Sequence, residues 1–349
     1  MEGHADIRYT GVFLRLFMKL LFVLILISQL IACSDQAPVI DKIHGYTMGT
    51  SYTVQWLASA SVDPDEAQSD IDDVLLMINQ QMSTYQSDSE LSVFNQALPP
   101  VTQKVSPELW EVLQLSLSLH DLTSGYFDIS VGPVVNLWGF GPDKMPTQLP
   151  TQKQTDQAKA AIGLDVIQLN DFQITKTQQR YLDLSAIAKG YAVDKVAEYL
   201  EGRGINVYLV EVGGEMRAKG RKTADKPWRV AVEKPDENQR TAQKIIAMQD
   251  GAMATSGDYR NYFEMDGQHY SHTIDPFTAK PVKHTLASVT IIDDKCARAD
   301  ALATAMLVMG AEKAKAFAAE HDIKAYLIER GPQGFSEYST PAFISWQTK

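Results

Sequence analysis

The chain has 349 residues, 45% of them hydrophobic and 21% charged, and carries a formal net charge of −11. That length accommodates one large elaborated domain or two ordinary ones, and the composition is that of a globular protein with a substantial core. The acidic balance, with no basic stripe interleaved with aromatics, argues against a nucleic-acid partner.

The N-terminal stretch is the first informative element. Residues 20–27 read LLFVLILI, an unbroken apolar run behind Met18 and Lys19. It is too short to cross a bilayer as a helix, but it has the charged entry, apolar middle and small-residue exit of a secretory signal. It ends in LIAC at 30–33, which resembles a bacterial lipobox, in which the Cys becomes the lipid-bearing first residue. A transmembrane anchor that happens to contain Cys33 is the plainer alternative and suits so short a run less well. The expected organisation is a signal peptide at 1–33, a polar tether at 34–42 and one domain over 43–346. Met18 is a candidate start, since residues 1–17 add nothing a signal peptide needs. With Cys33 lipidated, Cys296 has no partner for an intrachain disulfide, and the core alone must hold an exported domain.

Next, GYTMGTSYTVQW (45–56) reads as two strands around Gly49. Asp63-Pro64-Asp65-Glu66 supplies an N-cap, a first-position Pro and early acids. Ala67, Ile71, Val74, Leu75, Ile78 and Met82 follow at helical spacing. Ser106-Pro107-Glu108 opens a second helix through about His120, closed by Gly125. Residues 142–158, rich in Pro, Thr and Gln, read as a surface loop. A third helix is predicted from about Ser185 to Leu200. Short β-type runs come after it at 207–212, 228–233, 244–248, 287–292 and 324–329, with helices at about 296–309 and 311–320 between the last two. Strands and helices without regular βαβ alternation predict an α+β fold.

Asp300 lies inside CARADALATAMLVMG (296–310), an otherwise apolar helix, and Thr304 stands one turn later on the same face. A carboxylate is almost never buried without a partner, and this pair invites a cation. Lys189-Gly190 reads as mid-helix, where Gly costs about 1 kcal/mol relative to Ala; a tight helix–sheet contact or the close approach of a ligand would each explain it. TSGYFDISVGPVVNLWGFG (123–141) suits a planar ring held by stacking, although a buried aromatic turn has the same composition. His269 and His272 lie three apart in a β-like stretch and point to opposite faces, which makes a zinc pair weak. His269 reads as a surface or hydrogen-bonded residue. His272 precedes Ile274-Asp275-Pro276, a strand end beside a turn, where a general base is commonly displayed. The phosphate-loop, dinucleotide-fold, zinc-protease and nucleophile-elbow motifs are all absent.

Taken in order, the lipobox, MGTSY (48–52), MSTYQSDSELSVFN (82–95), GYFDISVGPVVNLWGFG (125–141), LDLSAIAKGYAVD (182–194), VEVGGEMRAKG (210–220), WRVAVEKP (228–235), MATSGDYRNYF (253–263), HTIDPFTAKPV (272–282) and ADALATA (299–305) resemble the ApbE family, the FAD:protein FMN transferases. The resemblance implies mixed, largely antiparallel sheets with flanking helices. It implies Mg²⁺ bound by Asp300, Thr304 and the backbone carbonyl of Ala186, all oxygen ligands suited to a hard cation. FAD contacts would fall on Met48, Tyr85, Tyr126, Phe127, Asp128, Asp183, Lys189 and the backbone near Ile274, and His272 would serve the transfer. The implied reaction moves FMN from FAD to a Thr or Ser hydroxyl, leaving AMP. Its acceptors would be membrane flavoproteins, such as subunits of the Na⁺-translocating NADH:quinone reductase or Rnf complexes. The protein would be lipid-anchored and face the periplasm, on the inner membrane sooner than the outer. Ala279 departs from the Gly usual in the turn after Asp275-Pro276, predicting another local geometry there. Ala303 departs from the polar residue some members carry, leaving a further metal contact there to backbone or water. A Mg²⁺-dependent FAD diphosphatase would use the same site; a non-catalytic FAD-binding lipoprotein would need neither His272 nor the Asp300/Thr304 pair.

Overall fold

The computed structural model describes residues 18–19, 38–58, 62–142, 146–223, 226–236, 241–259 and 261–348. The chain divides into units at Met1–Val39 and Ile40–Lys349; Cys33 lies outside the described residues. Among those residues no helix is long and apolar enough to cross a membrane.

The second unit is built on an eight-stranded sheet: Ile40–Thr47, Thr50–Leu57, Tyr208–Val212, Glu215–Lys219, Gly251–Gly257, Leu286–Asp293, Lys324–Gly331 and Gly334–Ser339. Spatial order follows chain order, and every pairing is antiparallel. The α+β reading holds. The first strand starts at Ile40, inside the stretch read as tether.

Both faces of the sheet are covered, and the strands show it by strict alternation. Tyr208, Val210, Val212, Ala252, Ala254, Val289, Ile291, Ala325 and Leu327 face the main core, while Leu209, Met253, Ile292, Tyr326 and Ile328 face a second one. The main core is roofed by helices Pro64–Met82, Ala188–Gly202 and Cys296–Met309, and the second by the hairpin Trp228–Glu233/Ala242–Met248 with helix Pro341–Gln347. A third cluster joins Val134 and Trp138 to Phe263, Tyr270 and Ile274 of the later strands.

Helix starts at 64 and 107 follow their caps: the Asp63 carboxylate accepts from the Asp65 and Glu66 N–H groups, and Ser106 Oγ accepts from Leu109 N–H. Two expectations fail. Within the expected loop, Gln152–Ala160 is a helix, because Thr151 and Gln154 form a reciprocal capping box ahead of good helix formers. The predicted 185–200 helix begins only at Ala188, since Ile187 has a non-helical backbone (φ −146°, ψ −26°), and so Gly190 sits in the first turn instead of the middle.

Candidate active site

A cavity of about 500 Å³ opens between the sheet and its insertions. Met48, Tyr85, Tyr126, Phe127, Asp128, Asp183, Ala186, Lys189, His272, Ile274, Asp300 and Thr304 all line it. Every site residue marked in the sequence, Cys33 aside, therefore meets in one place.

The floor is set by two helices that cross near their N-termini. A Cβ on Gly190 would lie 2.4 Å from the Cys296 carbonyl oxygen, so only Gly permits the contact. The backbones that approach belong to two helices, which corrects the helix–sheet expectation. At this crossing the Gly190 N–H donates to Asp300 Oδ2 (3.0 Å), and Ala297 N–H donates to Asp194 Oδ2 (3.0 Å). Neither helix has a side-chain cap of its own. Each caps the other, satisfying N–H groups that a helix start leaves unpaired.

Asp300 is 3% exposed, and burial raises its carboxyl above the usual range against the pull of Lys189 and the Gly190 N–H. Burial works against the Lys189 ammonium, but the Asp300 and Glu215 carboxylates outweigh it and hold it firmly charged. Lys189 Nζ lies 2.9 Å from Glu215 Oε1. Burial, aided by the Asp300 charge, pushes Glu215 up to about 7 despite Lys189. Thr304 Oγ1 is 3.0 Å from Ser256 Oγ, which also lines the cavity.

On the walls, Met48 and Gly49 form the two-residue turn between the first two strands, both at positive φ (49° and 71°). Tyr85 reaches across to donate to the Phe140 carbonyl (3.1 Å), and Tyr126 packs edge-on against Phe277. Asp128 accepts from Ser130 N–H and Oγ–H, and Asp183 accepts from Ser185 in the same way, so both carboxylates are fixed by the serine two residues on.

His272 is half-buried at the rim. Its Nδ1 is 2.9 Å from the Asn261 carbonyl oxygen, which can only accept, so Nδ1 carries the proton and Nε2 keeps its lone pair. Burial, and secondarily Lys189, hold its pKa below the ordinary His value. His269 instead stacks on Tyr262, ring centroids 4.1 Å apart. Ala279 takes up a left-handed conformation at φ +55°, held by its N–H on Asp275 O (2.8 Å) and by Trp138 Nε1–H on its own carbonyl (3.1 Å). Those bonds offset a left-handed Cβ that costs about 1–2 kcal/mol.

Sequence reasoning passed over Glu215 and Ser256. An acid directly after Gly213-Gly214, between strand residues, was the available signal for the first; a Ser inside a polar-looking strand gave none.

An aromatic-walled cavity with a buried carboxylate–ammonium floor and an imidazole fixed in one tautomer defines an enzyme site for a large, flat ligand. The sequence pattern of the ApbE family matches residues 48–327, and the chain belongs to that family. It is 42% identical over 328 residues to a Vibrio cholerae protein named FAD:protein FMN transferase, covering 93% of this chain and 98% of that one. The solved structure of the flavin transferase ApbE from Vibrio cholerae superposes with TM-score 0.82 at 42% identity, over 88% of this chain and 99% of that one. The Pseudomonas stutzeri flavinyl transferase ApbE in its apo form gives TM-score 0.84 at 36% identity, over 91% and 99%.

Proposed function

We propose that this protein transfers FMN from FAD to a Thr or Ser hydroxyl of a partner flavoprotein, releasing AMP. The observation that carries the reading is the convergence of Ala186, Lys189, His272, Asp300 and Thr304 on one aromatic-walled cavity. The acceptor oxygen attacks the FMN-side phosphorus and forms a new P–O bond there. The bond from that phosphorus to the bridging oxygen breaks, and the oxygen leaves with AMP. The acceptor's proton passes to the free Nε2 of His272, while the Asn261 carbonyl fixes the ring through Nδ1. Tyr85, Tyr126 and Phe127 give the ring system its walls, and Lys189 offers its charge to the diphosphate.

The residues present fit a Mg²⁺ ion. Among the described residues no group of three or more His, Cys, Asp and Glu gathers to hold a metal. The donors would be the Asp300 carboxylate, Thr304 hydroxyl and Ala186 carbonyl, a sparse oxygen set of the kind Mg²⁺ completes with water and substrate phosphates. The described charged residues lining the cavity are Asp128, Asp183, Glu215, Glu233 and Asp300 against Lys189 alone, so a diphosphate needs a cation beside it. When bound, the ion would neutralise charge on the diphosphate.

The same reading makes Cys33 the lipidated residue, anchors the protein on the inner membrane facing the periplasm, and seeks acceptors among Na⁺-translocating NADH:quinone reductase or Rnf subunits. The LIAC site after an apolar run supports it. Incubation with FAD, Mg²⁺ and an acceptor subunit, followed by mass spectrometry, tests the function. Covalent FMN on the acceptor is expected; free FMN with AMP would make it a diphosphatase, and intact FAD a carrier.

A further inference from the structure

Glu215 opens the strand Glu215–Lys219 directly after the Gly213-Gly214 turn, both glycines at positive φ (61° and 104°). The turn makes room for the ion pair behind it: a Cβ on Gly213 would stand 2.8 Å from Thr50 Cγ2 and 3.3 Å from Lys189 Cδ. Glu215 is 3% exposed and lines the cavity. One carboxylate oxygen, Oε1, is taken by Lys189 at 2.9 Å. The other, Oε2, is buried and has no hydrogen-bond partner among the described residues.

Leaving a buried acceptor unsatisfied costs about 1–3 kcal/mol, and more when it is charged. The ion pair with Lys189 accounts for Oε1 alone and leaves that cost at Oε2 without a return. In the ionised form, which Lys189 beside it favours, the group only accepts, so what satisfies Oε2 must donate. We propose that Glu215 is a specificity-determining residue whose Oε2 accepts a hydrogen bond from a hydroxyl or N–H group of the bound dinucleotide. This rests on the reading of the cavity as an FAD site. Both halves of FAD carry such donors: the ribityl hydroxyls and the ring imide on the flavin side, the ribose hydroxyls and the adenine amino group on the other. Lys189 holds one end of the carboxylate, so the free oxygen is fixed in place before the ligand arrives, and the contact costs little ordering.

The test is Glu215→Gln with Mg²⁺ present. The amide oxygen can keep the Lys189 contact, which turns the NH₂ toward the ligand's donor, donor against donor. Dissociation constants are measured for FAD and FMN by flavin fluorescence and for ADP by competition, with circular dichroism as the fold control. FAD should bind about tenfold or more weakly. A loss for FMN with ADP unchanged puts the donor on the flavin half, and the reverse puts it on the adenosine half. Unchanged FAD binding overturns the inference, as does an equal loss for FMN and ADP, which would mean a general charge effect through Lys189. Should the wild type itself fail to bind FAD, the functional reading falls and this inference with it. If Glu215→Gln does not fold, Glu215→Asp keeps the charge beside Lys189 and withdraws the oxygen, and the same one-sided loss is expected.

Discussion

Asp300 does two jobs with one carboxylate: Oδ2 caps the neighbouring helix at Gly190, and the group as a whole is the only carboxylate among the proposed cation ligands. The jobs separate by substitution. Asp300→Asn keeps an oxygen for the Gly190 N–H but removes the charge, so its melting temperature should stay near wild type while transfer at ordinary Mg²⁺ is lost. Asp300→Ala also orphans that N–H and should lose about 1–3 kcal/mol of stability. Thr304→Ala removes only a dipole, and raised Mg²⁺ should partly restore its activity. Mg²⁺ titrations of transfer beside thermal melts check all three, and an Asp300→Asn enzyme with wild-type Mg²⁺ dependence would move the metal off this helix.

His272 makes the second residue-scale prediction. His272→Ala should bind FAD within a few-fold of wild type yet transfer FMN about 10²–10⁴ times more slowly. The imidazole must be neutral to take the acceptor's proton, and burial sets its pKa below the ordinary 6.5. Wild-type activity should therefore persist through neutrality and fall as pH drops through that lowered value. A pH–rate profile whose acid limb is unchanged in His272→Ala would take the base away from this residue. Asp300, Thr304 and His272 were legible in the sequence because each breaks a local pattern: a charge in an apolar helix, a hydroxyl one turn on, an imidazole at a strand end. Glu215 was not, since its meaning comes from Lys189, which lies 26 positions earlier and meets it only in the fold.

At the scale of elements, the crossing of helices 188–202 and 296–309 organises the floor of the cavity. Asp300 sits about one turn into its own helix and Asp194 nearly two turns into its own, and each caps the start of the other's helix, with Arg217 Nη1 donating to Asp194 Oδ1 at 2.8 Å. This explains why the start of helix 188–202 was placed too early: cap signals are read just before a helix, and here the caps come from another one. By contrast, the capping box that starts helix 152–160 was present locally and was masked by the Pro, Thr and Gln around it. The crossing also yields a prediction of definite sign. Ala is a better helix former than Gly by about 1 kcal/mol, so propensity alone would have Gly190→Ala stabilise the protein. A Cβ there meets the Cys296 carbonyl at 2.4 Å and Ala297 Cα at 2.8 Å, backbone atoms that cannot turn aside. Overpacking costs of about 1–3 kcal/mol should win. Gly190→Ala should melt at lower temperature and weaken Mg²⁺-dependent transfer, because both caps stretch as the helices part; a higher melting temperature would mean that helix propensity outweighs the close contact at the crossing.

Across the whole molecule, the sheet keeps chain order while its insertions deliver the site. The Tyr85 loop, the 126–141 aromatic stretch and the 182–190 segment all lie between the second and third strands, and His272 lies between the fifth and sixth. Antiparallel pairing of neighbours is legible from short alternating runs, but which insertion folds over which sheet end is decided by contacts far apart in sequence. Six residues separate Cys33 from the first strand at Ile40. At 3.3–3.6 Å per residue such a stretch spans at most roughly 20 Å. If Cys33 carries a lipid, the catalytic unit is confined near the bilayer and so near membrane acceptors, which raises their effective concentration without any new contact. Cys33→Ser should then separate anchoring from chemistry. The variant should appear in the soluble fraction or remain unprocessed, and should flavinylate a soluble acceptor fragment at the wild-type rate. Toward the same acceptor embedded in membranes it should be slower. A Cys33→Ser protein that fractionates and migrates like wild type would refute the anchor, and one that loses activity on the soluble fragment as well would mean that the N-terminal segment takes part in the chemistry.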